Sequence, residues 1–283
     1  MSNVGIVCDS TCDLGPAWAA DNGVTMVPLK VLFGEDSYRD WIDFEPCEFF
    51  DRLVASAVLP KTSQPSPAEF TTAYNALAES GVEEIVSIHL TSPLSGTYES
   101  AMLAAKDAPV KVRVVDTRLV TQATGLVVKA AVAARAAGAD GAEIERVATE
   151  TARSTRLYFI LDTLDYLVKG GRAGKAQGLA ASILNIKPIL TFNAEGTIEP
   201  FKKVKGARKA FAELAAHVAK ESSKGRVRVA LLHACTPELA EELRVALDDA
   251  GADYELDSSG LVGSVIGTYA GPRAVGLAYY PIP

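Results

Sequence analysis

The sequence predicts an α/β protein of two domains: an N-terminal parallel sheet covered by helices over residues 1–153, and a C-terminal α+β domain over residues 154–283. Three observations lead there. The chain has 283 residues, more than one domain of ordinary size. Short apolar runs alternate with helical segments up to about Arg153, which suits parallel strands buried on both faces. Beyond that point the rhythm changes to a hairpin followed by further helices and strands.

Val4–Cys8 is a short apolar run ending in Asp9-Ser10-Thr11, a buried strand that feeds a turn. Val24–Phe33, rich in β-branched residues, reads as a second strand, and the polar stretch Gly34–Asp43 separates it from a helix starting near Pro46. Lys61–Ser66 reads as a loop. Ser66-Pro67-Ala68-Glu69 then supplies an N-cap, its reciprocal Glu and a Pro at the first helical position, so a helix runs from there to about Ser80. Glu84–Leu90 is a strand, Ser92–Thr97 a turn of small residues and Tyr98–Lys106 a helix. Val110–Val115 is a strand, Val120–Ala137 a long Ala/Val-rich helix, and Asp140 with Glu143 starts a helix that ends near Arg153.

In the second half Leu157–Leu161 is a strand, Thr163–Val168 a short helix and Gly170-Gly171-Arg172 a sharp break. Lys187–Phe192 and Thr197–Val204, joined by Asn193-Ala194-Glu195-Gly196, form an antiparallel hairpin. A helix over Ala207–Lys220, a strand over Val227–Leu232, a helix over Pro237–Ala250 and a strand near Tyr254–Leu256 follow. Gly260–Tyr280 is expected to return as a strand pair.

Composition narrows the function classes. Hydrophobic residues are 48% and charged residues 22%, as in ordinary soluble globular proteins. A net charge of −7 argues against a nucleic-acid partner, which needs a cationic surface. The longest uncharged run, Ser258–Pro272, is too short and glycine-rich to span a membrane, and no basic segment precedes an apolar one at the start. A cytoplasmic location is therefore expected. The four cysteines have no C-x-x-C spacing and no companion histidine cluster; they are expected to be reduced thiols, Cys8 and Cys12 near each other, with no metal or cofactor. The three histidines do not assemble a Ser-His-Asp triad by spacing.

Five segments carry possible chemistry. Thr62 and Ser63 place hydroxyls just ahead of a capped helix, where they either serve the turn or donate to a carboxylate or phosphate. Thr91-Ser92-Pro93-Leu94-Ser95-Gly96-Thr97-Tyr98 follows a strand and opens a helix, so Ser95 and Gly96 sit where ligands of parallel sheets bind, or simply cap the helix. Arg172 on its glycine pair is either an exposed helix end or an anion ligand. Lys202-Lys203-Val204-Lys205 with Arg208-Lys209 is either a guarded sheet edge or a docking surface for an acidic partner. The glycines of Gly263–Pro272 allow close backbone approach, and Tyr269 among them offers a phenol.

Asp9-Ser10-Thr11-Cys12-Asp13, Thr62-Ser63-Gln64-Pro65-Ser66, Leu94-Ser95-Gly96-Thr97-Tyr98, Gly170-Gly171-Arg172, Lys187-Pro188-Ile189-Leu190 and Gly267-Thr268-Tyr269-Ala270-Gly271-Pro272 stand in the order found in the DegV family, and over the whole chain this sequence resembles that family. The resemblance implies a bacterial fatty-acid-binding protein whose second domain is similar to a domain of dihydroxyacetone kinase. It implies a long-chain fatty acid with its tail in an apolar tunnel and its carboxyl at the domain junction. It further implies a separate ATP-dependent kinase subunit that converts the carboxyl to an acyl-phosphate for phospholipid synthesis. Carried over, Thr62 and Ser95 hold the head group, with Ser63, Gly96, Tyr269 and Arg172 around them, while Lys203 and Lys205, with Arg208, are expected near the tunnel mouth, where the kinase would dock. This chain departs from the family pattern in Tyr269 for a usual His, Arg273 for Gly, and Lys205 where Arg is common. A phenol still donates one hydrogen bond but does not titrate as imidazole does. The alternative reading is an enzyme acting on a small phosphorylated or keto substrate through Ser95 and its helix terminus.

Overall fold

In chain order the computed structural model, which describes residues 3–185 and 187–282, begins with β1 (Val4–Asp9), α1 (Gly15–Asp21), β2 (Val24–Val27), β3 (Lys30–Phe33), β4 (Asp36–Arg39), α2 (Pro46–Ala55) and β5 (Lys61–Ser63). Then come α3 (Pro67–Glu79), β6 (Glu84–His89), α4 (Thr97–Ala105), β7 (Lys111–Asp116), α5 (Thr121–Ala136) and α6 (Gly141–Ser154). The rest comprises β8 (Arg156–Ile160), α7 (Asp165–Lys169), a 3₁₀ segment (Gly174–Asn185), β9 (Lys187–Phe192), β10 (Ile198–Val204) and α8 (Ala207–Ser222). It closes with β11 (Val227–His233), α9 (Pro237–Asp249), β12 (Tyr254–Leu261), α10 (Ser264–Ala270) and β13 (Val275–Pro281).

The first sheet has the order β2-β1-β6-β7 and is parallel throughout. The second, β10-β9-β8-β13-β11-β12, is antiparallel except where β11 runs beside β12. Helices α3 and α4 cover the outer face of the first sheet, where Phe70, Tyr74 and Ala101 meet Val7 and Ile85. Helices α8 and α9 cover the outer face of the second, where Phe211, Leu214 and Leu243 meet Val229 and Leu277. Between the sheets lies α5, buried at every residue from Thr121 to Val128; its Ala, Gly, Leu and Val residues meet protein on several sides, and its Thr121, Gln122 and Thr124 side chains are hydrogen-bonded. Its Leu126 and Val127 join Ile6, Ile88, Leu190 and Leu232 in one core that runs through both sheets. No helix among the described residues is long and apolar enough to cross a membrane.

The helix starts follow their sequence signals. Ser66 Oγ accepts from Glu69 N while Ser66 N donates to Glu69 Oε2 at 2.8 Å, a complete capping box. Asp140 accepts from Glu143 N at the start of α6.

Four expectations are corrected. Val24–Phe33 is two strands, because Pro28 has no N–H for a ladder; β3 leaves for a small antiparallel sheet of order β4-β3-β5. Part of the expected loop at Lys61–Ser66 is β5 of that sheet, so Thr62 sits on a strand. Gly260–Tyr280 is not a strand pair: α10 intervenes, held by capping from Asp40, a residue of the first half. Two of the four cysteines are not free thiols. Cys47 and Cys235 form a disulfide, while buried Cys8 and Cys12 lie with sulfurs 3.7 Å apart. The disulfide partners are 188 residues apart, so only the packing of α2 beside the loop after β11 brings them together.

Candidate functional site

Between the two sheets lies a narrow cavity of about 80 Å³, walled almost entirely by apolar side chains. Leu90 and Val120 come from the first half of the chain. Leu157, Phe159 and Leu232 come from the second sheet, and Val265 and Ile266 from α10. The polar side chains in the lining are few: Ser95, Thr121, Arg172 and Tyr269. Arg172 and Tyr269 also line an outer recess of about 330 Å³, together with Lys61, Thr62, Lys169 and Thr268. The cavity is thus greasy inside and polar at one end.

The side chains at that end hold one another. The period of β5 turns Lys61 and Ser63 to solvent and Thr62 inward. Thr62 Oγ1 and the Tyr269 hydroxyl share a hydrogen bond of 2.5 Å. The Arg172 guanidinium stands 5.1 Å from the centre of the Tyr269 ring, and its Nη1 donates to Gly170 O at 2.9 Å. Its Nε reaches Leu94 O at 3.4 Å, beside Ser95, tying the second-half loop to the turn before α4. Ser95 Oγ pairs with Thr97 Oγ1 at 2.8 Å. Gly170 is glycine for want of space: a Cβ there would lie 2.4 Å from Tyr269 Cδ1.

Thr62, Ser95, Tyr269 and Arg172 therefore converge on one end of the cavity. Ser63 does not join them; it is exposed and lines neither space. Gly96 sits at the start of α4, but its N–H donates to Gln64 Oε1 at 3.1 Å. Gln64, whose amide also contacts Ser100, is a residue to which sequence reasoning assigned no role although it stands inside a quoted motif. Arg273 is exposed and lines neither space, which leaves Arg172 as the cation of the cavity. Lys203, Lys205 and Arg208 are exposed, on or just beyond β10 at the edge of the second sheet, and away from both spaces. Lys202 pairs with Glu213 at 2.5 Å, while the other three have no ion pair among the described residues.

Two buried carboxylates, also missed from sequence, fix α10 and so the cavity wall. Asp40 accepts from Ser264 N at 2.8 Å, Ser264 Oγ at 2.6 Å and Val265 N at 3.2 Å, and from Ser10 Oγ at 2.7 Å. Asp13 accepts from Gly263 N, Trp41 Nε1 and Thr121 Oγ1. Burial, with the neighbouring Asp40 charge second, pushes the Asp13 carboxyl well above its usual range; burial likewise raises Asp40. The bond to Asp13 holds cavity-lining Thr121 at φ 53°, a left-handed backbone that a β-branched residue adopts only when its surroundings impose it.

A triad-like set exists elsewhere. His89 bridges Asp9 Oδ2 at 3.0 Å and Ser87 Oγ at 2.7 Å, and Tyr74 donates to Ser87 at 2.9 Å. All four are fully buried and line neither space, so this chain of hydrogen bonds satisfies polar groups inside the first sheet. Burial pushes the Tyr74 phenol up to about 12, keeping it a donor.

Residues 3–282 match the model of the DegV family, described as uncharacterised proteins. This chain belongs to the DegV family. It is 40% identical over 283 residues to a DegV domain-containing protein of Streptomyces coelicolor, covering 97% of each. A DegV-family protein from Thermus thermophilus, solved for its fatty acid binding, is 32% identical with a TM-score of 0.93 and 99% of both chains covered. DegV from Bacillus subtilis, a fatty acid binding protein, is 30% identical with a TM-score of 0.88 over the full length of both. The DegV-family chain thus shares its whole architecture with these proteins.

Proposed function

We propose that this protein binds one long-chain fatty acid, its tail in the apolar cavity and its carboxylate at the end formed by Thr62, Ser95, Tyr269 and Arg172, and presents it to a separate kinase. The observation that carries the reading is the asymmetry of the cavity: hydrocarbon side chains along its length, and at one end Arg172 with the Ser95 and Tyr269 hydroxyls, Thr62 bonding Tyr269 from the outer recess. Each methylene removed from water contributes about 0.8 kcal/mol, so a tail of ~14 methylenes supplies on the order of 11 kcal/mol before ordering costs. A buried carboxylate without a cation would cost several kcal/mol, and Arg172 meets that need. The fatty acid binding of the Thermus thermophilus and Bacillus subtilis relatives supports the same reading.

Tyr269 replaces the usual family histidine with a phenol already engaged by Thr62, so the head-group end orients the ligand rather than shuttling a proton. A small phosphorylated substrate attacked by Ser95 would set its charge against leucine and phenylalanine walls, which disfavours the enzymatic alternative. The kinase partner would meet the exposed Lys203, Lys205 and Arg208 at the edge of the second sheet. The test is organic extraction of the purified protein followed by mass spectrometry. A long-chain fatty acid near one per chain is expected; polar metabolites alone, with no saturable uptake of added fatty acid, would reject the reading.

A further inference from the structure

The covalent link between Cys47 and Cys235 plays no part in head-group binding, yet each end leads to a wall of the cavity. Cys47 is the second residue of α2 and is exposed; Cys235 is half-buried in the loop between β11 and α9. Two and three residues after Cys47, Phe49 and Phe50 pack on α10 so closely that a Cβ on Gly267 would lie 2.9 Å from the first ring and 2.7 Å from the second. That helix contributes Val265, Ile266 and Tyr269 to the cavity. Leu232, three residues before Cys235, lines the cavity from the second sheet. The bond therefore fastens the helical wall to the sheet wall.

The loop it fastens is costly to hold. Cys235 has φ 51°, left-handed for a residue with a Cβ. On either side of it, buried His233 Nδ1 and Thr236 Oγ1 have no hydrogen-bond partner among the described residues. Helix α9 begins beyond them without a side-chain cap from Thr236. A segment with a left-handed non-glycine residue and unpaired polar atoms gains by moving toward water once its tether is cut.

We propose that Cys47–Cys235 is a reducible clasp: a dithiol that opens it frees α2 and α10 from the loop after β11 and speeds exchange of the bound chain. The ligand in this statement rests on the fatty-acid reading; the motion does not. A thiolate of the dithiol attacks the sulfur of Cys47, the more exposed of the two residues, the S–S bond breaks, and its electron pair leaves on Cys235 at the head of α9, where the helix N-terminus favours negative charge. The second thiol of the reductant then displaces Cys47 from the mixed disulfide. The reductant ends as a cyclic disulfide, and the protein gains two electrons and two protons.

The test compares the full chain air-oxidised and after treatment with dithiothreitol, beside a Cys47→Ser/Cys235→Ser double variant. Hydrogen–deuterium exchange of ligand-free protein reports the motion, and the off-rate of a fluorescent long-chain fatty acid reports its consequence. In wild type, reduction should speed exchange over residues 46–55 and 264–270 and raise the off-rate on the order of tenfold. The double variant should already be fast in both and indifferent to dithiothreitol. Equal exchange and off-rates in the two wild-type states overturn the clasp while leaving fatty-acid binding intact, and so does a count of four free thiols after air oxidation. Failure to bind fatty acid in either state overturns the functional reading instead, and amide exchange alone then decides the clasp.

Discussion

Replacing Arg172 with Gln removes the one cationic side chain that lines the apolar cavity while keeping a planar, hydrogen-bonding end of similar reach. A carboxylate at that end would keep Thr62, Ser95 and Tyr269 but lose its counter-charge. Truncating one partner of a buried, hydrogen-bonded charge pair costs about 2–4 kcal/mol, roughly 30- to 700-fold in Kd. Arg172 is half-buried, so water softens the loss and the lower end of that range is expected. Titration with a fatty acid and with its methyl ester separates charge from packing, because the ester offers the same tail without the negative charge. The acid should weaken at least about tenfold more than the ester. Affinity of the variant for the acid should recover on acidification, as the ligand binds neutral. Arg172→Lys should recover part of the loss, since an ammonium restores charge but not the two-pronged geometry. Acid and ester weakening equally would refute the assignment, because the loss would then lie in the Arg172–Tyr269 contact and the tail.

Gly276→Ala should be among the most destabilising small substitutions, because its Cβ would lie 2.3 Å from the backbone oxygen of Tyr158 in the paired strand β8. A loss of about 3 kcal/mol and a fall in Tm of roughly 6–12 °C are expected by calorimetry. Gly5→Ala, which meets only the yielding side-chain ends of Leu77 and Val82 at 3.2 Å, should change Tm far less; a reversal of that order would refute the packing argument. Asp13→Asn tests the buried carboxylate: its oxygen can still accept from Gly263 and Trp41 while the new amide donates to Thr121. The raised Asp13 value means the folded chain keeps a proton that the unfolded chain has released above its ordinary range near 3.8. The stabilisation from this group is therefore full at low pH and is lost as pH rises through the raised value. Wild type should lose stability relative to the variant over that rise in urea denaturation, and parallel pH curves for the two would contradict the assignment.

Much of this fold is legible because its signals are local. The capping box at Ser66, the Asn193–Gly196 turn and the apolar surface of α5 each need only their own few residues to be read. What is misread depends on partners far away in sequence. Ser264–Ala270 is rich in β-branched and small residues and has a strand-like composition. It is a helix because Asp40 caps it from 224 residues away and because Gly267 admits Phe49 and Phe50. Thr62 reads as part of a loop but lies on a strand beside Tyr269, since β3 pairs with it only after Pro28 turns the chain. Ser63 illustrates the limit of motif reading: it is adjacent to Thr62, and strand alternation sends it to the opposite side. The disulfide has no signature at all at a separation of 188 residues.

The mortar that joins the two sheets is also the wall of the cavity: α5, Leu90 and Leu232 belong to both. A guest molecule in that space would bridge the halves of the molecule as an interior side chain does. Occupancy should therefore register as resistance to heat across the whole chain, growing with RT ln(1 + [L]/Kd). Any partner that distinguishes full from empty protein can do so by feeling firmness at the outside, without touching the hydrocarbon.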